Sequence, residues 1–164
     1  MELSIRRLQE PFLDRRQIEA SFDIMGLDGQ LIEDQTYYVV EEYGVIVGCG
    51  GWSRRATLYG GSHSLERDEA LLNPSVDAAR IRAMYTHPTH ARRGVGRLIL
   101  KNCEQAARQE GFSRAELLAT LAGLPLYVAC GYHRIEEVHA ETRSGIPIPG
   151  CRMVKDLKSN ITGT

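Results

Sequence analysis

The stretch ARRGVGRLILKN (Ala91–Asn102) places two glycines, Gly94 and Gly96, where an amphipathic helical pattern begins. The apolar stripe of that pattern contains Val95, Leu98, Ile99, Cys103, Ala106 and Ala107. Glycine costs a helix about 1 kcal/mol relative to alanine, so two glycines here call for a reason. The first N–H groups of a helix have no partner inside it and carry partial positive charge. Without side chains at Gly94 and Gly96, a phosphate can approach those groups.

Cations surround the same turn, because Arg92, Arg93, Arg97 and Lys101 lie next to the glycines. The combination suits a pyrophosphate. It is not a P-loop, since no G-K-[ST] follows, and Ile99 takes the third glycine position of the dinucleotide fingerprint. The alternative is a tight strand-to-helix turn whose arginines face solvent.

The rest of the chain predicts a mixed α+β fold. Strands are predicted at Leu3–Leu8, 36–42, Val45–Trp52, Ala79–Thr86, 115–120, 132–140 and 151–157, and two further helices at about Phe12–Met25 and after Pro125. Three consecutive strands before the middle helix argue against a doubly wound sheet, and a mixed sheet with helices on its faces fits better. Residues 53–78 hold no period, so they form either a functional loop or a solvated insertion.

Length and composition restrict the class of protein. With 164 residues, the chain favours a single domain over residues 1–164. A net charge of −1 gives no field that would attract nucleic acid or an anionic membrane. The N-terminus has no apolar signal segment, and the run Val45–Trp52 is too short to span a bilayer, so a cytoplasmic location is expected. The histidine pair His87 and His90 has no further ligand at metal-site spacing, and no metal is expected.

One segment carries a family resemblance. MYTHPTHARRGVGRLIL (Met84–Leu100) resembles the acetyl-CoA-binding segment of the GNAT superfamily of N-acetyltransferases, in which Q/R-x-x-G-x-G/A opens a helix after a strand. Gly94 and Gly96 match the two glycines. Ala91 departs from the pattern, since the family has Gln or Arg at that position.

A second segment agrees with the first. LPLYVACGYHRI (Leu124–Ile135) resembles the family's Y-x-x-x-G-[FY], with Tyr127, Gly131 and Tyr132 at the matching positions. The resemblance implies the acyl-CoA N-acyltransferase fold. In that fold the central mixed sheet would be splayed between its fourth and fifth predicted strands, with helices on both faces.

The resemblance also implies acetyl-CoA as co-substrate. Its pantetheine arm would lie along Met84, Tyr85 and Thr86, and its pyrophosphate on Arg92, Arg93, Gly94, Val95, Gly96 and Arg97. The implied activity is direct attack of a primary amine on the thioester in a ternary complex. A small molecule is the favoured acceptor, and a protein N-terminus or lysine is the alternative. A homodimer is left open.

Four residues have candidate roles at the reacting centre. Tyr127 matches the family's proton donor for the departing thiolate, although a packed core tyrosine is the alternative. Glu41 or Glu42 could accept the amine proton through water, or both are solvated carboxylates at a strand end. Arg82 is either a pocket residue or the partner of an acid on a neighbouring strand. The competing interpretation of the whole chain is an acyl-CoA sensor with this fold and no chemistry.

Overall fold

The structure, a computed structural model, describes residues 1–65 and 67–158, so Glu66 and 159–164 of the predicted domain lie outside the described residues. The helices are α1 (Glu2–Gln9), α2 (Arg15–Ser21), α3 (Gly29–Glu33), α4 (Val95–Gln109) and α5 (Leu124–Ala129), with a 3₁₀ turn at Pro88–His90. The strands are β1 (Tyr37–Glu42), β2 (Val45–Ser53), β3 (Ala79–Thr86), β4 (Arg114–Thr120), β5 (His133–Ala140) and β6 (Ile148–Asp156).

The strands form one six-stranded sheet in the order β1-β2-β3-β4-β6-β5. The β3–β4 pair is parallel, and every other neighbouring pair is antiparallel. The predicted mixed sheet is therefore confirmed.

The parallel pair opens soon after it begins. Strands β3 and β4 pair at Ala79–Ala115 and Arg80–Glu116, and the ladder ends there. Beyond Arg80, the β3 edge that faces β4 has no strand partner, so a gap opens in the centre of the sheet. The two strands predicted to splay do so, as the third and fourth strands instead of the fourth and fifth.

That shift arises because the strand predicted at Leu3–Leu8 is wrong, and these residues lie in helix α1. Two alternating apolar residues suggested a strand. The segment forms a helix instead, in which Ile5 and Gln9 are buried on one face. Glu2 accepts a hydrogen bond from Arg6, one turn later. The second predicted helix, Phe12–Met25, is shorter than expected, since α2 begins at a capping box after Asp14 and ends at Ser21.

Helices cover both faces of the sheet, as predicted. A β-carbon on Gly48 of β2 would lie 2.3 Å from Cγ1 of Val95, so α4 packs directly on this face. The next residue, Cys49, points to the other face and packs with Ile5 of α1.

Candidate active site

A cavity of about 640 Å³ occupies the gap between β3 and β4. Its wall is formed by parts of α1 and β3, residues 58–61, the start of α4 and helix α5. Of the residues proposed from sequence, Met84, Tyr85, Thr86, Arg92, Gly94, Val95, Gly96, Arg97 and Tyr127 line it, whereas Arg93, Glu41 and Glu42 do not. Two segments that are separate in the sequence thus meet at one cavity.

The start of α4 is open to a ligand. Gly94 has φ +86°, a left-handed conformation that glycine adopts without strain, and it forms the N-cap of the helix. No side chain caps the helix, so its first N–H groups keep their hydrogen-bonding capacity. A β-carbon at Gly94 would meet no described atom within 4 Å. This is the backbone surface that an anionic group needs.

Gly96 has a second role that the sequence analysis missed. A β-carbon there would lie 2.8 Å from Cδ2 of Leu126, which is in α5. The glycine therefore allows α4 and α5 to approach each other, besides leaving the backbone accessible.

Strand β3 has an irregular register beside the cavity. Cys49 pairs with Tyr85 and Gly51 with Arg82, so β3 has one residue more than β2 in this interval. The bulge is at Ala83, whose φ is +52°. Bulges re-aim side chains next to active sites. Past this bulge, the hydroxyl of Tyr85 accepts a hydrogen bond of 2.9 Å from the N–H of Gly26.

Tyr127 is buried at the cavity wall. Its ring makes an edge contact with Tyr132, with the centroids 5.8 Å apart. Among the described residues its hydroxyl has no hydrogen-bond partner, so the group is available to a ligand. Burial raises the pKa of Tyr127 above its ordinary value, which keeps the hydroxyl protonated at neutral pH.

Glu42 does not line the cavity, and two neighbouring side chains hold it. It accepts a hydrogen bond of 2.7 Å from Nε2 of His90 and one of 3.5 Å from Nη2 of Arg93. Glu41 lies beside it on β1, an edge strand. His90 itself lines the cavity, although sequence reasoning weighed it only as a metal ligand.

Arg82 is both a cavity residue and half of a buried ion pair. Its partner is Asp28, in the segment before α3, and not an acid on a neighbouring strand. The arginine that pairs with the neighbouring strand is Arg80, which bonds Glu116 of β4. Asp28 was missed because Gly26 and Gly29 on either side made it look like a surface turn.

The model of the acetyltransferase (GNAT) family matches residues 2–132, which include both segments that meet at the cavity. The chain belongs to the GNAT family. No curated protein matches it.

Solved structures share this GNAT fold. A GCN5-related N-acetyltransferase from Rhodopseudomonas palustris (titled aminotransferase, class-II) is 19% identical, with a TM-score of 0.68 over 94% of this chain and 84% of that one. PaiA N-acetyltransferase from Thermoplasma acidophilum, in complex with coenzyme A, is 11% identical, with a TM-score of 0.58 over 94% and 87%. YncA from Salmonella typhimurium, with its cofactor acetyl-CoA, is 17% identical, with a TM-score of 0.59 over 83% and 75%.

Two classes of feature are missing from the part of this GNAT chain that the structure describes. No group of three or more His, Cys, Asp or Glu side chains there could hold a metal ion. No helix there is long and apolar enough to cross a membrane.

Proposed function

We propose that this chain is an acetyl-CoA-dependent N-acetyltransferase that acts on the primary amine of a small molecule. The observation that carries the proposal is the cavity, where an uncapped helix N-terminus, an unpaired strand edge and the Tyr127 hydroxyl meet. Family membership supports acyl transfer. Two neighbours of the same fold are in complex with coenzyme A or acetyl-CoA, which supports the donor.

The residues present fit the donor. The N–H groups at Gly94 to Arg97 and the Arg92 and Arg97 side chains would hold the pyrophosphate. The backbone groups of Met84 to Thr86 that face the gap would pair with the amides of the pantetheine arm, because partly buried backbone groups need partners.

The reaction that follows is transfer of the acetyl group from sulfur to nitrogen. The lone pair of the amine forms a bond to the thioester carbonyl carbon, and the carbon–sulfur bond then breaks. Tyr127 gives its proton to the leaving thiolate and is reprotonated from water. The apolar surroundings that raise the pKa of Tyr127 also raise the pKa of a thiol bound beside it, so burial does not by itself widen the difference between donor and acceptor.

The amine must lose a proton, and no Asp or Glu lies among the described residues of the cavity wall. We infer that the acceptor enters as the free amine and that its second proton leaves to water. Glu41 and Glu42 do not take this role in the proposal, since both lie outside the wall.

The experiment is an acetyl-transfer assay over a panel of primary amines, with release of CoA thiol as the readout. Transfer to at least one amine is expected. Acetyl-CoA at 100 times its dissociation constant should also add about 2.7 kcal/mol to the free energy of unfolding, measured by thermal melting. If NAD or ATP raises the melting temperature and acetyl-CoA does not, acetyl-CoA is not the donor. Tight acetyl-CoA binding with no transfer to any amine would favour the alternative, an acyl-CoA sensor without catalytic activity.

A further inference from the structure

Arg82 is the centre of a buried charge cluster beneath the cavity. Its side chain is 1% exposed and that of Asp28 is 0% exposed, and Nη2 of Arg82 lies 2.5 Å from Oδ2 of Asp28. Nη2 also donates to the carbonyl oxygen of Gly60. A second arginine, Arg67, donates from Nη2 to Oδ1 of the same Asp28 at 3.2 Å.

The cluster carries one more positive than negative charge, because two guanidinium groups share one carboxylate. Nε and Nη1 of Arg82 are buried and have no hydrogen-bond partner among the described residues. Buried donors without acceptors are costly, and a guanidinium carries five such N–H groups in a fixed fork. Burial accordingly lowers the pKa of Arg82 to about 10. Nε and Nη1 lie on opposite sides of the guanidinium, so each lacks an acceptor of its own.

The cavity wall also carries more positive than negative charge. Its charged side chains in the described part of the chain are Arg82, Arg92 and Arg97, and none is acidic. Arg92 and Arg97 flank the start of α4 in the sequence, whereas Arg82 lies in β3. A polycationic acceptor would meet no counter-charge in such a wall, whereas an anionic group would find one at Arg82.

We propose that the acceptor is an amine that also carries a carboxylate, and that Arg82 binds this carboxylate through one of its N–H groups that has no partner among the described residues. The inference rests on the proposed function, since it names the acceptor class of the same site. A hydrogen bond from a guanidinium N–H to a carboxylate oxygen is charge-assisted, and it is stronger than one between neutral groups.

The rest of the acceptor is apolar. The wall on the α1 side is mainly apolar, since Ile5, Leu8, Phe12, Ile24 and Met25 outnumber the two polar residues there, Ser4 and Gln9. Burying such a surface against an apolar ligand body is favourable. Amino acids with aliphatic or aromatic side chains, and aminomethyl-aryl carboxylates, combine both properties.

Asp28 and Arg67 are positioning residues for Arg82. Asp28 fixes Nη2, and Arg67 holds the carbonyls of Gly60 and Gly61 through Nη1 at 3.3 and 3.0 Å. Nε and Nη1 are closed to solvent, so binding requires a shift of the Arg82 side chain towards the cavity while Nη2 stays on Asp28. Arg67 limits how far the Gly60–Gly61 segment follows.

The test compares amines that differ only in the carboxylate. L-phenylalanine is paired with phenethylamine, and 4-(aminomethyl)benzoate with benzylamine, each with acetyl-CoA and the full chain. We expect at least one carboxylate member to have a kcat/KM about 10- to 100-fold above its partner, the size of a charge-assisted contact. Binding is measured separately, as the melting shift caused by N-acetyl-L-phenylalanine and by N-acetylphenethylamine in the presence of CoA.

Variants assign the preference to Arg82. Arg82→Gln should reduce it to within about threefold, and Arg82→Lys should keep part of it because the charge remains. If Arg82→Gln fails to fold because Asp28 is left without its partner, the double variant with Asp28→Asn removes both charges together. Arg80→Gln is the matched control, since Arg80 lies two residues away on β3, bonds Glu116 and does not line the cavity, and it should keep the full preference.

The outcomes separate the inference from the function on which it rests. Transfer without preference, or preference for the carboxylate-free amines, overturns the carboxylate site and leaves the acetyltransferase intact. Arg82-dependent binding of N-acetyl-L-phenylalanine without any transfer keeps the site and overturns the enzyme. If no member of either pair is transferred or bound, the carboxylate site is wrong.

Discussion

Gly123 and Tyr127 are in contact across the first turn of α5: a β-carbon on Gly123 would lie 3.0 Å from Cε2 of the tyrosine ring. The glycine therefore sets how deeply the ring lies, and with it the height of the hydroxyl at the cavity wall. Positioning at this scale matters for a proton donor, because a misplacement of about 1 Å can cost about 10²-fold in rate.

Replacing Tyr127 with phenylalanine isolates the hydroxyl, since the ring and its packing remain. If the hydroxyl protonates the leaving thiolate, kcat and kcat/KM should fall together by about 10²-fold, while the Kd for acetyl-CoA stays constant. Tyr132→Phe is the control, because that ring touches Tyr127 but does not line the cavity. A Tyr127→Phe enzyme within about threefold of the parent kcat, with chemistry rate-limiting, would mean that water or another group supplies the proton.

Gly123→Ala should act through the same hydroxyl. The added methyl group displaces the Tyr127 ring by a few tenths of an ångström, and we expect kcat to fall by about 5- to 10-fold with CoA affinity unchanged. A double-mutant cycle with Tyr127→Phe tests the route. If Gly123 only positions the donor, its substitution has little further effect once the hydroxyl is gone. Additive effects would instead indicate a general disturbance of α5.

Gly96→Val should weaken CoA binding by more than about tenfold, because the side chain blocks the backbone surface at the start of α4. The structure adds a complication, since the new side chain also collides with Leu126. Combining Gly96→Val with Leu126→Ala removes that collision. We expect the Kd for CoA, measured by calorimetry, to remain high in the double variant and near the parental value in Leu126→Ala alone. Recovery in the double variant would show that the glycine serves helix packing only.

Local patterns predicted most of the fold. The apolar stripe gave α4, and Gly111, predicted to follow its end, has φ +94° as a residue at that position requires. Helix α1 was missed because Leu3 and Ile5 are two residues apart, which is the period of a strand, whereas in the helix Ile5 is buried and Leu3 is exposed. Its packing against β3 decides for the helix, and no short window contains that information.

Some residues of the candidate site could likewise be found from the local sequence, and others could not. Gly94 and Gly96 could be found because the chemistry of a helix N-terminus lies in adjacent residues. The placement of Glu41 and Glu42 could not, since it depends on β1 being an edge strand away from the gap. The signal for Arg82 was present, as a charged residue inside the apolar strand ARIRAMYT. Its partner Asp28 is distant in sequence, so only the tertiary structure joins them.

The pH dependence of kcat/KM should follow the acceptor and not the protein. No Asp or Glu lies in the described cavity wall, and both ring nitrogens of His90 are hydrogen-bonded, to Thr89 and Glu42. Without a base on the enzyme, activity rises about tenfold per pH unit until the amine's own pKa, about 10 for an alkylamine. Burial raises the pKa of Tyr127, so its donating, protonated form is lost only as pH rises through that elevated value, above the assay range. Two acceptors with different amine pKa values should therefore show correspondingly displaced profiles. A common inflection near neutral pH for both would reveal a base on the enzyme.

Residues 58–61, at the tip of the long connection, should control the acceptor and not the donor. They line the cavity, and the side chain of Arg67 ties Gly60 and Gly61 to Asp28. Arg67→Gln removes these contacts, and we expect the acceptor KM to rise by about 5- to 10-fold as the segment loosens, with the Kd for acetyl-CoA unchanged. Arg55→Gln is the matched control, because Arg55 lies in the same connection but binds Asp34 away from the cavity. If Arg67→Gln leaves the acceptor KM at the parental value, the connection is a passive insertion, and its contact with the cavity has no part in choosing the amine.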